Sequence, residues 1–167
     1  MKIAICFYGL AGSVSDKNGN GIPLDPSIAF KYYKENIFDK NDEVDIFIHS
    51  CSLSVKERLI ELYKPKKFII EKQVLFPNSK YHPYLTKGLI RRFQMFLLKT
   101  IKNKSYLKLK EIREKESFRA HSRWYSVKKS IQLMRDYEQE NDFKYECVMS
   151  TRLDISFFKP VIFKNID

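Results

Sequence analysis

Late in the chain a strand-like run, Tyr145-Glu146-Cys147-Val148-Met149-Ser150-Thr151, gives way to Arg152-Leu153-Asp154. An arginine and an aspartate two residues apart offer two kinds of chemistry. The planar guanidinium can clamp a phosphate or diphosphate through paired N–H groups. The carboxylate can hold a hard divalent cation through oxygen. The same two residues could equally form a plain surface ion pair, and the residues alone leave both readings open. Two other positions deserve the same scrutiny. Tyr8-Gly9 closes the apolar run that starts at Lys2, and His49-Ser50 closes Val44-Asp45-Ile46-Phe47-Ile48-His49. If these runs are parallel strands, all three sets of residues stand at carboxyl ends, where open α/β sheets bind ligands.

The elements that must position them can be read from periodicity. Lys2 to Tyr8 is apolar almost throughout, as in a strand buried on both faces. A polar loop, Gly9 to Leu24, follows. Asp25-Pro26 opens a helix, with Asp25 as N-cap and Pro26 at the first helical position; Ile28 or Phe30, Tyr33 and Ile37 are its expected apolar stripe. A second strand over Val44–His49, a short helix from Val55 to Tyr63 and a third strand over Lys67–Glu71 come next. This alternation predicts an α/β fold, a mainly parallel sheet with flanking helices. A basic helix is expected around Thr86 to Lys104, with Leu89, Phe93, Phe96, Leu97 and Ile101 on one face. A weakly periodic lysine-rich stretch spans Lys102 to Glu116. A long helix follows from about Phe118 to Glu140, with Ala120, Trp124, Val127, Ile131 and Met134 at helical spacing. Tyr145–Thr151 is a fourth strand, and one or two short extra strands are expected around Pro160.

Three stretches then acquire a common meaning. Ile3-Ala4-Ile5-Cys6-Phe7-Tyr8-Gly9, Asp45-Ile46-Phe47-Ile48-His49-Ser50 and Tyr145 through Asp154 occur in an order that resembles capsule and lipopolysaccharide glycosyltransferase-like proteins of the GT-A, nucleotide-diphospho-sugar transferase, superfamily. The resemblance spans almost the whole chain through short motifs. It implies a Rossmann-like sheet, a nucleotide-diphosphate sugar as ligand and transfer to a glycan or lipid-linked acceptor. In the family an acidic motif, often Asp-x-Asp, follows the fourth strand and binds Mn²⁺ or Mg²⁺. Here only Asp154 matches as a metal ligand, because Arg152 stands where the first aspartate would be. By the same resemblance Tyr8 and Gly9 lie against the nucleotide, and Arg152 contacts phosphate. Asp45 and His49 are expected to be structural. The family's general base and acceptor site follow the acidic motif, whereas this chain ends thirteen residues beyond Asp154. The chain is therefore expected to be one nucleotide-sugar-binding domain lacking its acceptor half, and no catalytic residue is assigned.

Charge points to an anionic partner. The chain carries a formal net charge of +11, and Tyr84 to Arg135 holds fifteen Lys/Arg against three Glu, a local net of +12. Arg91, Arg92 and Lys99 could seat a basic amphipathic helix on anionic lipid. The competing function is a non-catalytic basic module for nucleic acid or an anionic membrane surface. Nucleic acid is the less expected partner, because Trp124 and Tyr125 fall on what reads as a helical core stripe rather than an exposed stacking sheet. No apolar run is long enough for a signal-peptide core or a membrane span, so the expected location is cytoplasmic, with a peripheral seat at the inner membrane surface open to the basic helix. Cys6, Cys51 and Cys147 lack metal-site spacing and read as free thiols. Asp16 to Gly21 matches only the first half of an EF-hand loop: Pro23 and Ser27 occupy its eighth and twelfth positions, and a plain turn is expected. Gly9-Leu10-Ala11-Gly12 lacks the third glycine of a dinucleotide fingerprint. His82 and His121 have no spaced partners and read as surface residues.

Overall fold

In a computed structural model of the chain, residues 1–14, 22–76, 96 and 104–165 are described, without the side chains of 14, 104–111, 113 and 114. Four strands form one parallel sheet: β1 (Ile3–Gly9), β4 (Val44–Ser50), β5 (Lys67–Ile70) and β6 (Cys147–Arg152), in the spatial order β5-β4-β1-β6. Two two-residue strands, β2 (Ser13–Val14) and β3 (Ile22–Pro23), pair antiparallel after β1. The helices are α1 (Ser27–Asn36), α2 (Lys56–Tyr63) and α3 (Lys104–Glu140). The α/β class expected from the alternation is what forms.

Two compact units divide the chain: Met1–Gln73 with Arg123–Asp167, and Val74–Ser122. Within the second, the Phe76 ring lies 6.1 Å from Phe118 and 6.0 Å from His121, and His121 is exposed, as its sequence context suggests. Thr86 to Lys104, with Arg91, Arg92 and Lys99, falls outside the described residues except for Phe96 and the backbone of Lys104, as do Asp16–Gly21 and His82.

The first unit holds the sheet. Its strands alternate between two apolar layers, as the period of two requires. Ile3, Ile5, Phe7, Ile46 and Ile48 pack with Tyr33 of α1 and Leu59 and Tyr63 of α2. Ala4, Cys6 and Phe47 face the other way, onto Leu133 and Met134 of α3. Phe7 is fully buried and makes edge-on contacts with Tyr33 and Tyr63, at 4.8 and 5.0 Å between centroids. Burial pushes the Cys6 thiol up to about 12, and all three cysteines are free thiols.

Several local expectations need correction. Asp25 lies one residue before the cap, accepting from the Ser27 amide at 3.0 Å and from its hydroxyl at 2.6 Å, while Pro26 takes the N-cap position and the helix starts at Ser27. The stripe of α1 runs through Ala29, Tyr33 and Ile37 with Phe30 packed against the same core, so of the two expected alternatives Phe30 holds and Ile28 is largely exposed. On α3 the buried face is Ser126, Ser130, Leu133, Met134 and Glu138; Trp124, expected in the core, is 70% exposed, and Ala120 is exposed as well. Ile131 and Met134 of the expected stripe do pack in this layer, and two buried hydroxyls complete its face. No strand forms over 155–163. That segment instead hangs on α1 and the turn after it: Asn36 binds the Phe157 carbonyl at 2.7 Å, the Val161 amide binds the Asn36 carbonyl at 2.8 Å, and Asn41 binds the Val161 carbonyl at 2.7 Å.

Candidate functional site

The strand order fixes where a ligand would enter. The chain passes from β1 to β4 to β5 on one side, then returns to place β6 on the other side of β1. This reversal is a topological switch point, and open α/β sheets bind ligands at such a point, here at the carboxyl ends of β1 and β6. Tyr8 pairs with Arg152 across one ladder and with His49 across the other. Alternation puts all three side chains on the face covered by α3: Cys6 and Phe47 point there two residues earlier, while Thr151 points to α1. Tyr8, Gly9, Arg152 and Asp154 are thus brought to one edge, as expected.

Arg152 and Asp154 are bound to each other. The Arg152 Nε donates to Asp154 Oδ1 at 2.6 Å, and an Nη donates to Oδ2 in a second, parallel bond. The carboxylate beside it raises the Arg152 pKa. Two N–H groups of the fork are used, so the remaining ones stay available for an anion. Tyr33 supports the turn from below: its hydroxyl donates to the Arg152 carbonyl at 2.6 Å and lies 3.0 Å from Thr151 Oγ1. The loop after β1 closes in from above. Gly12 has φ +97°, and a Cβ there would lie 3.0 Å from Leu24 Cδ1 and 3.4 Å from Asp154 Cβ. Glycine permits both the backbone angle and this approach.

The donor set for a metal is small. Among the described residues no group of three His, Cys, Asp or Glu side chains is placed to hold an ion. Asp154 offers one carboxylate, and Arg152 occupies it. These protein groups do not by themselves make a Mn²⁺ or Mg²⁺ site.

Next to this pair lies a polar cluster that periodicity does not reveal. His49 and Ser126 are buried. His49 Nδ1 is 2.7 Å from Ser126 Oγ, and Nε2 is 3.1 Å from Glu71 Oε1. The Gly9 amide donates to Ser126 Oγ at 2.9 Å, and the Tyr125 hydroxyl donates to Glu71 Oε1 at 2.9 Å. Ser126 has one hydroxyl proton for two acceptors, Nδ1 of His49 at 2.7 Å and the His49 carbonyl at 3.2 Å; with the proton on the shorter contact to Nδ1, His49 is neutral and its Nε2–H donates to Glu71. Burial lowers the His49 pKa, outweighing the pull of Glu71, and the His49 bond lowers that of Glu71. Both directions fit a neutral imidazole facing an ionised carboxylate.

His49 therefore has the structural part expected of it, fastening β4 to α3. Asp45 does likewise, accepting from Tyr145 O–H at 2.7 Å with Lys66 Nζ at 3.4 Å. Glu71, Tyr125 and Ser126 were not expected at the site. The one available signal was that Glu71 directly follows the apolar run of β5, at a carboxyl end.

No family model, curated protein or solved structure matches the chain. No helix among the described residues is long and apolar enough to cross a membrane.

Proposed function

We propose that this chain is the nucleotide-sugar-binding part of a GT-A-type glycosyltransferase, taking a nucleotide-diphosphate sugar at the crevice between β1 and β6. The observation that carries the reading is the ladder pair Tyr8–Arg152 at the switch point, with Asp154 tied to the same guanidinium. Glycosyl transfer builds negative charge on the departing diphosphate, and a fixed cation in a sheltered crevice lowers the cost of that charge. Arg152 is the cation available there. Tyr8 and Gly9 form the floor against which the nucleotide would lie, and Gly12 lets the loop cover it closely. The reading routes no step through a metal; Mn²⁺ and Mg²⁺, which the resemblance implies, enter as arms of the test.

The experiment is calorimetric titration of uridine-, guanosine- and thymidine-diphosphate sugars into wild type, Arg152→Ala and Asp154→Asn, in EDTA and in Mn²⁺. Arg152→Ala should weaken binding in both conditions. Absence of binding by wild type to every sugar nucleotide would remove the reading. The competing function, a non-catalytic basic module for nucleic acid or an anionic membrane surface, is favoured by the local charge of +12 between Tyr84 and Arg135. Its signature is polyanion or anionic-vesicle affinity that falls steeply with salt.

A further inference from the structure

Glu71 is held in an unusual way for a carboxylate at the ligand edge of a sheet. It directly follows β5, and its amide donates to the Ser50 carbonyl at 3.0 Å, which extends the ladder by one residue. Ile69 packs in the layer beneath α3, so Glu71, two residues on, projects on that same face. Both of its protein donors, His49 Nε2–H and Tyr125 O–H, converge on Oε1. Among the described residues Oε2 receives no hydrogen bond, and the side chain is 36% exposed. The group behind it cannot turn away. His49 is fully buried, and its other nitrogen is engaged by Ser126, which also takes the Gly9 amide.

The result is an acceptor oxygen with a locked orientation, backed by a buried relay that starts on the backbone of Gly9. Here the donors are a neutral imidazole and a phenol, Lys129 adds a nearby positive charge, and Oε2 takes no hydrogen bond among the described residues. An ionised carboxylate is an acceptor only, with room for two donors on the free oxygen. A vicinal diol is one neutral group that presents two adjacent donors, and a nucleotide sugar carries such diols on its ribose and on its sugar. Glu71 is separated from Arg152 by three strand spacings, roughly 14 Å at the usual interval between neighbouring strands. The interval suits one extended ligand with phosphate at one end and hydroxyls at the other.

We propose that Glu71, clamped by His49 and Tyr125, forms a hydroxyl-binding subsite that accepts a vicinal diol. This rests on the proposed function in that the diol would belong to the same nucleotide-sugar ligand, either to its ribose or to its sugar. Tyr125 and His49 act as positioning residues, fixing which oxygen is offered.

The test uses the full chain. Calorimetry compares uridine diphosphate with its 2′,3′-dideoxy analogue, and ligand-observed NMR follows binding of methyl glucoside and methyl galactoside. Each is run on wild type, Glu71→Gln and Tyr125→Phe. A hydrogen bond to a charged group is worth about 1.5–3 kcal/mol, so wild type should prefer a ligand with the diol by about 10- to 100-fold. Glu71→Gln should erase that preference while binding the dideoxy analogue as wild type does. Tyr125→Phe, which keeps the ring and the His49 bond, should reduce the preference only in part. Loss of ribose discrimination assigns the diol to the nucleotide; unchanged ribose discrimination with loss of glycoside binding assigns it to the sugar. If Glu71→Gln leaves both unchanged while wild type binds uridine diphosphate, the subsite is wrong and the nucleotide reading stands. If wild type binds neither nucleotide nor glycoside, both are wrong.

Discussion

Removing one oxygen atom from Ser126 should cost this protein far more than a serine on a helix normally would. Ser126 Oγ takes the Gly9 amide at 2.9 Å and lies 2.7 Å from His49 Nδ1, and the residue is 3% exposed. In Ser126→Ala both partners keep their places and lose their bond. A buried polar group left unsatisfied costs about 1–3 kcal/mol, so two such groups bound the loss at about 2–6 kcal/mol. The opposing term, alanine's better helix propensity, is a few tenths of a kcal/mol. Water entering beside the smaller side chain would bring the loss toward the lower bound. Urea denaturation followed by far-UV circular dichroism measures it: with a slope of about 2 kcal/mol per molar urea, the midpoint should fall by about 1–3 M. Amide hydrogen exchange gives the local readout, since protection of Gly9 should drop more than that of Ile5, whose bonds lie within the sheet. A midpoint shift below about 0.3 M with Gly9 protection intact would refute the reasoning, because the network would then be ornamental.

Two further outcomes follow from buried groups. Tyr33 and Tyr63 are both buried, but Tyr33 O–H is bonded to Arg152 O while Tyr63 O–H has no partner among the described residues. Tyr33→Phe should destabilise by about 1 kcal/mol or more and Tyr63→Phe should be neutral or stabilising, measured by the same urea transitions; equal losses would contradict the assignment. Stability should also fall on acidification in two windows. His49 has a folded pKa below its ordinary value of 6.5, so the unfolded chain binds more protons once pH drops below about 6.5. Glu71 has a folded pKa below 4.5, so its contribution is present above that pH and is lost as pH falls through the folded value. Thermal melts between pH 8 and 4 should show the first decline near 6.5, and His49→Gln should remove it; a flat profile down to pH 5 would count against a buried neutral imidazole.

Much of the scaffold was legible because its physics is local. The apolar run at Ile3–Phe7 announces a strand buried on both faces, and Asp25 before Pro26 announces a helix start to within one residue. The carboxyl-end rule places Tyr8, Gly9, Arg152 and Asp154 at one edge of the sheet from the sequence alone. What escaped was non-local. Ser126 and Ser130 look like surface residues of a helix until the sheet places His49 and the Gly9 amide opposite the first of them. A pattern that counts only apolar side chains therefore included the exposed Trp124 and Ala120, although it also found Ile131 and Met134, which do pack against the sheet. The mutual capture of Arg152 and Asp154 in an ion pair, by contrast, was one of the two readings the spacing offered, since residues two apart share a face around the buried Leu153.

That capture supplies the most direct test of the nucleotide-sugar reading. Calorimetry in EDTA should find a diphosphate sugar that wild type binds and that Arg152→Ala binds about 10- to 100-fold more weakly, the loss of a charge-assisted contact to phosphate. Asp154→Asn keeps the shape but releases the guanidinium, so it should bind the same ligand at least as well as wild type without metal and should gain nothing from Mn²⁺. If Arg152→Ala binds every sugar nucleotide as wild type does, phosphate is not held at the crevice between β1 and β6, and the central claim is contradicted.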